Sequence, residues 1–242
     1  MKLYLLFGLS LALLISGAHM ATINIKNNCP YTIWPGTHTG GGDGPNTGFQ
    51  LSPQASNSID VPATWTAGRI WARTGCSSNS GIFSCATGDC GQHEACNGAT
   101  GVPPTTLAEF TLGDPNNAGQ DTYDVSNVDG FNLPLSITPQ GGSGPTCTPT
   151  SCAKDINAVC RADLAVKGSD GATIACKSAC VAFGDPQYCC TNEFNSPETC
   201  KPTTYSQFFK DQCPQAYSYA YDDRSSTFVC SGGPNYLVTF CP

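Results

Sequence analysis

The feature that most restricts the fold of this chain is its cysteine content. The sequence has 242 residues and 16 cysteines, an even number that can pair completely. In an oxidising compartment such a set forms a disulfide framework, whereas a zinc site usually shows a CxxC pair followed by further ligands at fixed spacing. No CxxC pair occurs in the sequence. We therefore predict disulfides, no metal and no cofactor, although the count alone leaves about two million pairings open.

The N-terminal residues have the pattern of a secretory signal peptide. Lys2 supplies a basic start, Leu3–Ser16 is an apolar run without charge, and small residues follow. The run is too short to span a membrane, which takes about 20 residues. We predict a signal peptide over residues 1–20, a mature chain that starts at Ala21, and secretion. No later segment is predicted to span a membrane.

The charge balance narrows the classes of partner. The net charge is −7, and it becomes −8 when Lys2 leaves with the signal peptide. An acidic protein repels nucleic acids and anionic membrane surfaces, but it does not repel neutral polymers. We therefore expect no nucleic-acid partner and keep polysaccharides as candidates.

Alternating apolar and polar residues predict a mainly β protein. The pattern is clear in ATINIKNNC, GRIWARTGC, TLAEFTL and YLVTFC, each bounded by turn residues. Two regions differ from it. The segment from Thr74 to about Pro104 has few apolar residues and four cysteines, so bridges must hold it together. Between Lys154 and Cys213 the segments ADLAV, IACKSACVAF and TTYSQFFKDQC have helical spacing, which places Cys176 and Cys180 on one helix face.

Several motifs together resemble the thaumatin-like, pathogenesis-related proteins of plants. The most specific is GIFSCATGDCGQHEAC, over residues 81–96. Others are NNCPYTIWPG, YDVSNVDGFNLP, PQYCC, CPQAYSYAYDD and NYLVTFCP. The likeness extends over the whole mature chain. It implies a flattened β-sandwich, domain I, over residues 21–73, 111–153 and 214–242. It also implies a small disulfide loop, domain III, over 74–110, and a helical, disulfide-rich lobe, domain II, over 154–213.

The resemblance also implies the disulfide pairing. The eight implied bridges are Cys29–Cys241, Cys76–Cys85, Cys90–Cys96, Cys147–Cys230, Cys152–Cys213, Cys160–Cys176, Cys180–Cys189 and Cys190–Cys200. Vacuolar members of the family carry a C-terminal extension beyond the last cysteine. This chain ends at Pro242, one residue after Cys241, so we expect an apoplastic location.

A candidate site follows from the same resemblance. Antifungal members of the family have an acidic cleft between domains I and II, and its residue set corresponds here to Arg73, Glu109, Asp124, Asp129 and Asp222. Asp124 and Asp129 point to opposite faces of a straight strand, so they share a cleft only if the chain bends at the VDG turn. Taken singly, each of these residues is better explained as a turn, strand-end or ion-pair residue, and a shared cleft is favoured only by the whole set together with the family resemblance. Asp121 falls outside the set, and we expect it to be a solvated charge.

The resemblance assigns roles within this cleft. Glu109 is the expected proton donor and Asp129 its partner, because glycoside hydrolysis needs two carboxyl groups that flank the bond. Phe131 is a candidate for stacking on a sugar ring, although its residue type favours packing in the core. We expect a monomeric, secreted plant defence protein that binds fungal β-1,3-glucan.

Whether the cleft is a weak endo-β-1,3-glucanase or a non-enzymatic antifungal binding module stays open from the sequence. Some fruit and pollen members are allergens, and the sequence does not decide this for the present chain. Its acidic charge argues against the sweet taste that basic relatives have.

Overall fold

A computed structural model of the chain describes residues 20–41, 44–114 and 119–242. The predicted signal peptide lies outside these residues except for Met20, where the first strand begins. Within the described part of the chain, no helix is long and apolar enough to cross a membrane. Strands and helices are numbered along the chain.

The first sheet has five strands. They are β1 (Met20–Asn27), β3 (Ser56–Pro62), β9 (Leu135–Gln140), β10 (Thr150–Cys152) and β14 (Asn235–Phe240). Their order is β10-β9-β14-β1-β3, and β1 runs parallel to β14. The alternation seen in the sequence orients β1, since Ile23 and Ile25 are fully buried while Thr22 and Asn24 are partly exposed.

The second sheet packs its inner face against the first. Its strands are β2 (Trp34–Gly41), β4 (Thr66–Arg73), β7 (Leu107–Thr111), β8 (Gln120–Ser126) and β13 (Phe228–Ser231). Their order is β13-β8-β7-β4-β2. Between the sheets, the rings of Phe110 and Tyr123 each lie 5.2 Å from the ring of Tyr236. The predicted mainly β sandwich is confirmed.

A small disulfide-bonded region covers part of the outer face of the second sheet. It contains the hairpin of β5 (Ser77–Asn79) and β6 (Ile82–Ser84). Cys90 and Cys96 pack on Trp71 and Leu107, which point outward from the sheet. β7 begins at Leu107 and pairs with β4 and β8, so residues 107–110 form part of the second sheet.

The lobe between residues 154 and 213 is only partly helical. It contains β11 (Ala165–Lys167), β12 (Thr173–Cys176), α1 (Ala179–Phe183), α2 (Pro186–Cys189) and α3 (Thr204–Gln212). Helix α3 has the predicted place, and Thr203 caps its first turn. The helix predicted over ADLAV and the start of IACKSACVAF is wrong, because these residues form the β11–β12 hairpin.

The break between strand and helix in this lobe separates two cysteines. Ser178 caps α1, so that the helix starts only at Ala179. Cys176 therefore ends a strand and bonds to Cys160, while Cys180 lies in α1 and bonds to Cys189. The prediction that Cys176 and Cys180 share one helix face is wrong.

Eight disulfides hold the fold, and they join the pairs that the family resemblance implies. Cys29–Cys241 closes a loop with a sequence separation of 212 residues. In the chain-entropy model such a loop contributes up to about 4–5 kcal/mol. The remaining regular elements among the described residues are a four-residue helix, α4 (Asp223–Ser226), and two 3-10 helices, Asn157–Val159 and Asn192–Phe194.

Candidate functional site

A row of charged side chains crosses the outer face of the second sheet. In the strand register, Arg69 of β4 lies opposite Glu109 of β7, and Glu109 lies opposite Asp124 of β8. Directly opposed residues point to the same face of an antiparallel sheet, with Cβ atoms about 4.5–5.5 Å apart. Arg69 Nε is 3.0 Å from Glu109 Oε1. The register therefore places one cation and two carboxyl groups side by side.

A turn after β8 brings a third carboxyl group to this row. The amide of Gly130 donates to the carbonyl of Asn127 at 2.9 Å, which closes a turn directly after the strand. Gly130 has a φ of +92°, and an added Cβ would lie 2.6 Å from the carbonyl oxygen of Cys176. Only glycine fits this position. The bend explains how Asp124 and Asp129, five residues apart, reach the same cleft.

The opposite wall of the cleft comes from the segment that follows the lobe. Tyr217 pairs with Ser126 as a short parallel bridge, and its amide donates to the carbonyl of Val125 at 2.9 Å. The cleft has a volume of about 220 Å³. Its lining residues are Arg69, Leu107, Glu109, Asp124, Ser126, Val128, Asp129, Tyr217 and Ala220. At Val128 the cleft meets a narrow crevice that the lobe lines.

The three carboxyl groups of the cleft all have raised pKa values, because burial penalises their charged forms. Burial first, and then the negative charge of Glu109, raise the pKa of Asp124 to about 8. Burial and Asp129 raise the pKa of Glu109, although Arg69 acts in the opposite direction. Burial also raises the pKa of Asp129, again against Arg69. The Glu109–Asp124 pair therefore retains a proton at neutral pH, as closely spaced carboxyl groups do.

Arg73, which the resemblance assigns to the acidic cleft, lies elsewhere. Its side chain is fully buried between the second sheet and the small domain. Nε donates to the carbonyl of Trp34 at 3.0 Å and Nη2 to that of Glu94 at 2.7 Å. Arg73 and Arg69 share one face of β4, about 13 Å apart along the strand. The small domain covers the first and leaves the second open, so Arg69 is the cation of the cleft.

Asp222 also lies outside the lining of the cleft. Its Oδ2 is 2.7 Å from Lys210 Nζ and accepts hydrogen bonds from the amide and hydroxyl of Ser218 at 3.0 and 2.8 Å. These contacts hold the loop that carries Tyr217 and Ala220 into the cleft wall. Asp222 therefore supports the segment that forms this wall of the cleft and does not itself line the cleft.

Packing also rules out a stacking role for Phe131 and solvent exposure of Asp121. Phe131 is fully buried in the core and exposes no ring to a sugar. Asp121 is not a solvated charge, since only 3% of it is exposed. Its Oδ2 accepts a hydrogen bond from the hydroxyl of Tyr236 at 2.8 Å, and its Oδ1 accepts one from the amide of Gly113 at 3.0 Å.

Three polar residues that line the cleft were missed in the sequence analysis. They are Arg69, Ser126 and Tyr217. The alternation in GRIWARTGC does place Arg69 on the same face as Arg73, which is a signal that could have identified it. No local pattern indicates that Tyr217 pairs with Ser126, because 91 residues separate them in the sequence.

Comparisons with known proteins agree with this fold. The thaumatin family model matches residues 27–242. Thaumatin-like protein 1a from Malus domestica is 59% identical over 243 residues, which cover 98% of this chain and 97% of the relative. A Prunus avium protein named glucan endo-1,3-beta-glucosidase is 57% identical over 245 residues, covering 99% of this chain and 98% of the relative.

A solved structure extends the comparison to distant proteins. The laminaripentaose-producing beta-1,3-glucanase in complex with laminaritetraose has a TM-score of 0.57 at 13% identity, covering 92% of this chain and 99% of that chain. At this low identity the likeness concerns the fold alone. The family model and the close relatives together show that the chain belongs to the thaumatin family.

Proposed function

We propose that this protein binds β-1,3-glucan in the acidic cleft and slowly hydrolyses internal glycosidic bonds of the polysaccharide. The observation that carries the proposal is the grouping of Glu109, Asp124 and Asp129 around one cleft beside Arg69, with raised carboxyl pKa values. Glycoside hydrolysis needs one protonated and one ionised carboxyl group. The Prunus avium relative named glucan endo-1,3-beta-glucosidase supports the choice of substrate.

Within this proposal, Glu109 donates the proton to the oxygen of the leaving sugar. Its side chain is 28% exposed and faces the cleft. Asp124 has one oxygen, Oδ1, that is enclosed and accepts no hydrogen bond from the described residues. Asp124 therefore acts through Glu109 and does not contact the substrate. The two carboxyl groups share a proton, and a negative charge on one disfavours ionisation of the other. Asp129 is the partner carboxylate, which either attacks the anomeric carbon or takes a proton from the attacking water.

Glu109→Gln separates hydrolysis from binding. Glutamine keeps the size and hydrogen-bonding capacity of the acid but has no acidic proton. We expect the release of reducing ends from β-1,3-glucan to fall by about 10²-fold or more, the scale of a lost general acid. Binding in a glucan pull-down should stay nearly unchanged, because it relies on the whole cleft.

The control for this experiment lies on the same strand. Thr111→Val changes a side chain at the end of β7, outside the cleft lining, and should leave both readouts unchanged. Unchanged hydrolysis by Glu109→Gln would refute the role of Glu109. A native protein that binds glucan but releases no reducing ends would instead establish a non-enzymatic binding module, and one that does neither would refute the proposal.

The proposal includes a place of action. The signal-peptide pattern of residues 1–20 and the eight disulfides are typical of secreted proteins. We propose secretion to the apoplast, where the protein meets fungal walls as a defence protein. Expression of the full chain in plant cells, followed by N-terminal sequencing of extracellular protein, should give a mature start at Ala21. Retention of the chain inside the cells would contradict this.

A further inference from the structure

A second surface, outside the acidic cleft, combines aromatic rings with polar groups that are mostly uncharged. It centres on Trp34 of β2, a half-buried residue that lines two neighbouring grooves. Trp65 and Trp71 are buried, with 0% and 1% exposed, so Trp34 is the only one of the three tryptophans open to solvent. The proposed glucan cleft makes no use of this surface.

The first groove beside Trp34 contains no charged residue. It has a volume of about 570 Å³, within the usual size of a small-ligand site. Tyr31, 46% exposed, supplies a second ring at this groove. The other lining residues are Thr32, Thr74, Gly75, Ala86, Asn132, Asn157, Thr173 and Ile174. In Asn157, the Nδ2 group donates to two backbone carbonyls, while Oδ1 receives no hydrogen bond from the described residues.

The second groove continues from Trp34 over the small domain. It has a volume of about 430 Å³ and adds the ring of Phe83 to polar side chains such as Gln50 and Gln92. The rings of Trp34 and Phe83 meet edge to face, with centroids 6.3 Å apart. Only His93 and Glu94 bring titratable groups to this groove, and both are exposed.

Arg73 holds this aromatic pair in place. It donates to the carbonyl of Trp34 and to that of Glu94, and its guanidinium lies 5.3 Å from the centre of the Phe83 ring. The buried cation thus ties the start of β2 to the small domain. The rings are therefore ordered before any ligand arrives, which lowers the entropic cost of binding.

The acidic cleft and the Trp34 surface are separate places on the molecule. They share no lining residue. In the strand register Trp34 lies opposite Arg73, whereas His38 lies opposite Arg69 of the cleft. The two rows are about 13 Å apart along the strands. Between them the small domain packs on Trp71, and the backbone of Gly98 contacts His38.

We propose that the Trp34 surface is a second, non-catalytic binding site for a neutral oligosaccharide chain, with Trp34 and Tyr31 as the stacking rings. An aromatic ring offers a flat apolar face to the C–H groups of a sugar, while the hydroxyl and amide side chains offer donors and acceptors to its hydroxyls. No charged residue lines the first groove, and the charge that acts on Tyr31 is the negative one of Asp155, so the groove favours a neutral polymer over an anionic one. Two grooves that meet at one ring suit a chain of several sugar units rather than a single sugar.

Tryptophan fluorescence gives a direct test, since Trp34 is the tryptophan that acrylamide can reach. We expect at least one of laminarihexaose, cellohexaose and xylohexaose to protect the native protein from quenching, and the anionic hexagalacturonate to give no protection. Glu109→Gln should keep this protection, because that residue lies in the other cleft. The result is thereby independent of the proposed glucan hydrolysis.

Variants then locate the site. By calorimetry, Tyr31→Ala and Trp34→Ala should each weaken oligosaccharide binding about tenfold, the scale of a lost aromatic contact, and Trp34→Phe should restore most of it. Phe183→Ala removes an exposed ring from the lobe and should change nothing. Absence of protection by all three neutral hexaoses at about 10 mM, or protection that Tyr31→Ala leaves intact, would overturn the proposal.

Discussion

Replacing Asp124 by asparagine should change how the stability of this protein depends on pH. Asp124 lies opposite Glu109 on neighbouring strands, and its pKa rises from an ordinary value of 3.8 to about 8 in the fold. Between these two pH values the folded chain keeps a proton that the unfolded chain has lost. The free energy of unfolding must therefore fall as the pH rises from about 4 to about 8, and the contribution is fully lost above that.

The magnitude follows from the two pKa values. One pKa unit corresponds to 1.36 kcal/mol, so the interval from 3.8 to about 8 sets a ceiling of roughly 5–6 kcal/mol. Asp124 is partly open to the cleft, and water screens part of its interactions. We therefore expect roughly half of this ceiling, about 2–3 kcal/mol.

Chemical denaturation of the oxidised protein at pH 4, 6 and 8 measures the effect. Asparagine is uncharged at each pH, so Asp124→Asn should gain about 2–3 kcal/mol relative to the native chain between pH 4 and pH 8. Asp211→Asn removes a carboxylate from the exposed side of α3 and controls for the change in net charge. Parallel curves for the native chain and Asp124→Asn would mean that Asp124 is ionised in the fold over this pH range, which contradicts a raised pKa.

The remaining predictions concern the framework and the supports of the site. Thiol titration of the denatured, unreduced protein should read near zero, and two or more free thiols per chain would contradict the eight bridges. Lys210→Met leaves Asp222 without its cation, so the free energy of unfolding should fall by about 1–3 kcal/mol and glucan binding should weaken. Unchanged glucan binding would show that this loop does not support the cleft. Tyr236→Phe removes a hydrogen-bond donor to buried Asp121 and should also lower the free energy of unfolding by about 1–3 kcal/mol. Tyr31→Phe changes an exposed tyrosine and should leave the stability unchanged. Arg73→Lys should speed proteolysis of the small domain, because an ammonium group lacks the fork that contacts two carbonyls; an unchanged rate would show that the bridges alone hold it.

Much of the fold could be predicted from local sequence patterns. Period-two alternation identified β1, β4 and β7, because a half-buried strand needs apolar residues on one face only. Helical spacing and the Thr203 cap are enough to place α3. The same spacing failed around residues 162–176, where cysteines and short apolar runs fit a bridged hairpin as well as a helix. A local pattern cannot distinguish a hairpin from a helix in a segment that is stabilised mainly by disulfides.

The residue types available for a site, and the strand face that each occupies, follow from the sequence. The alternation in TLAEFTL places Glu109 on the strand face opposite Phe110, and VDG marks a turn between Asp124 and Phe131. The tertiary fold covers Arg73 and leaves Arg69 open to solvent, because the small domain packs over one end of β4 and not the other. It also buries Asp121 against Tyr236, across 115 residues of sequence. Alternation specifies the side of a sheet, whereas strand register and the packing of distant segments decide which part of that side meets solvent.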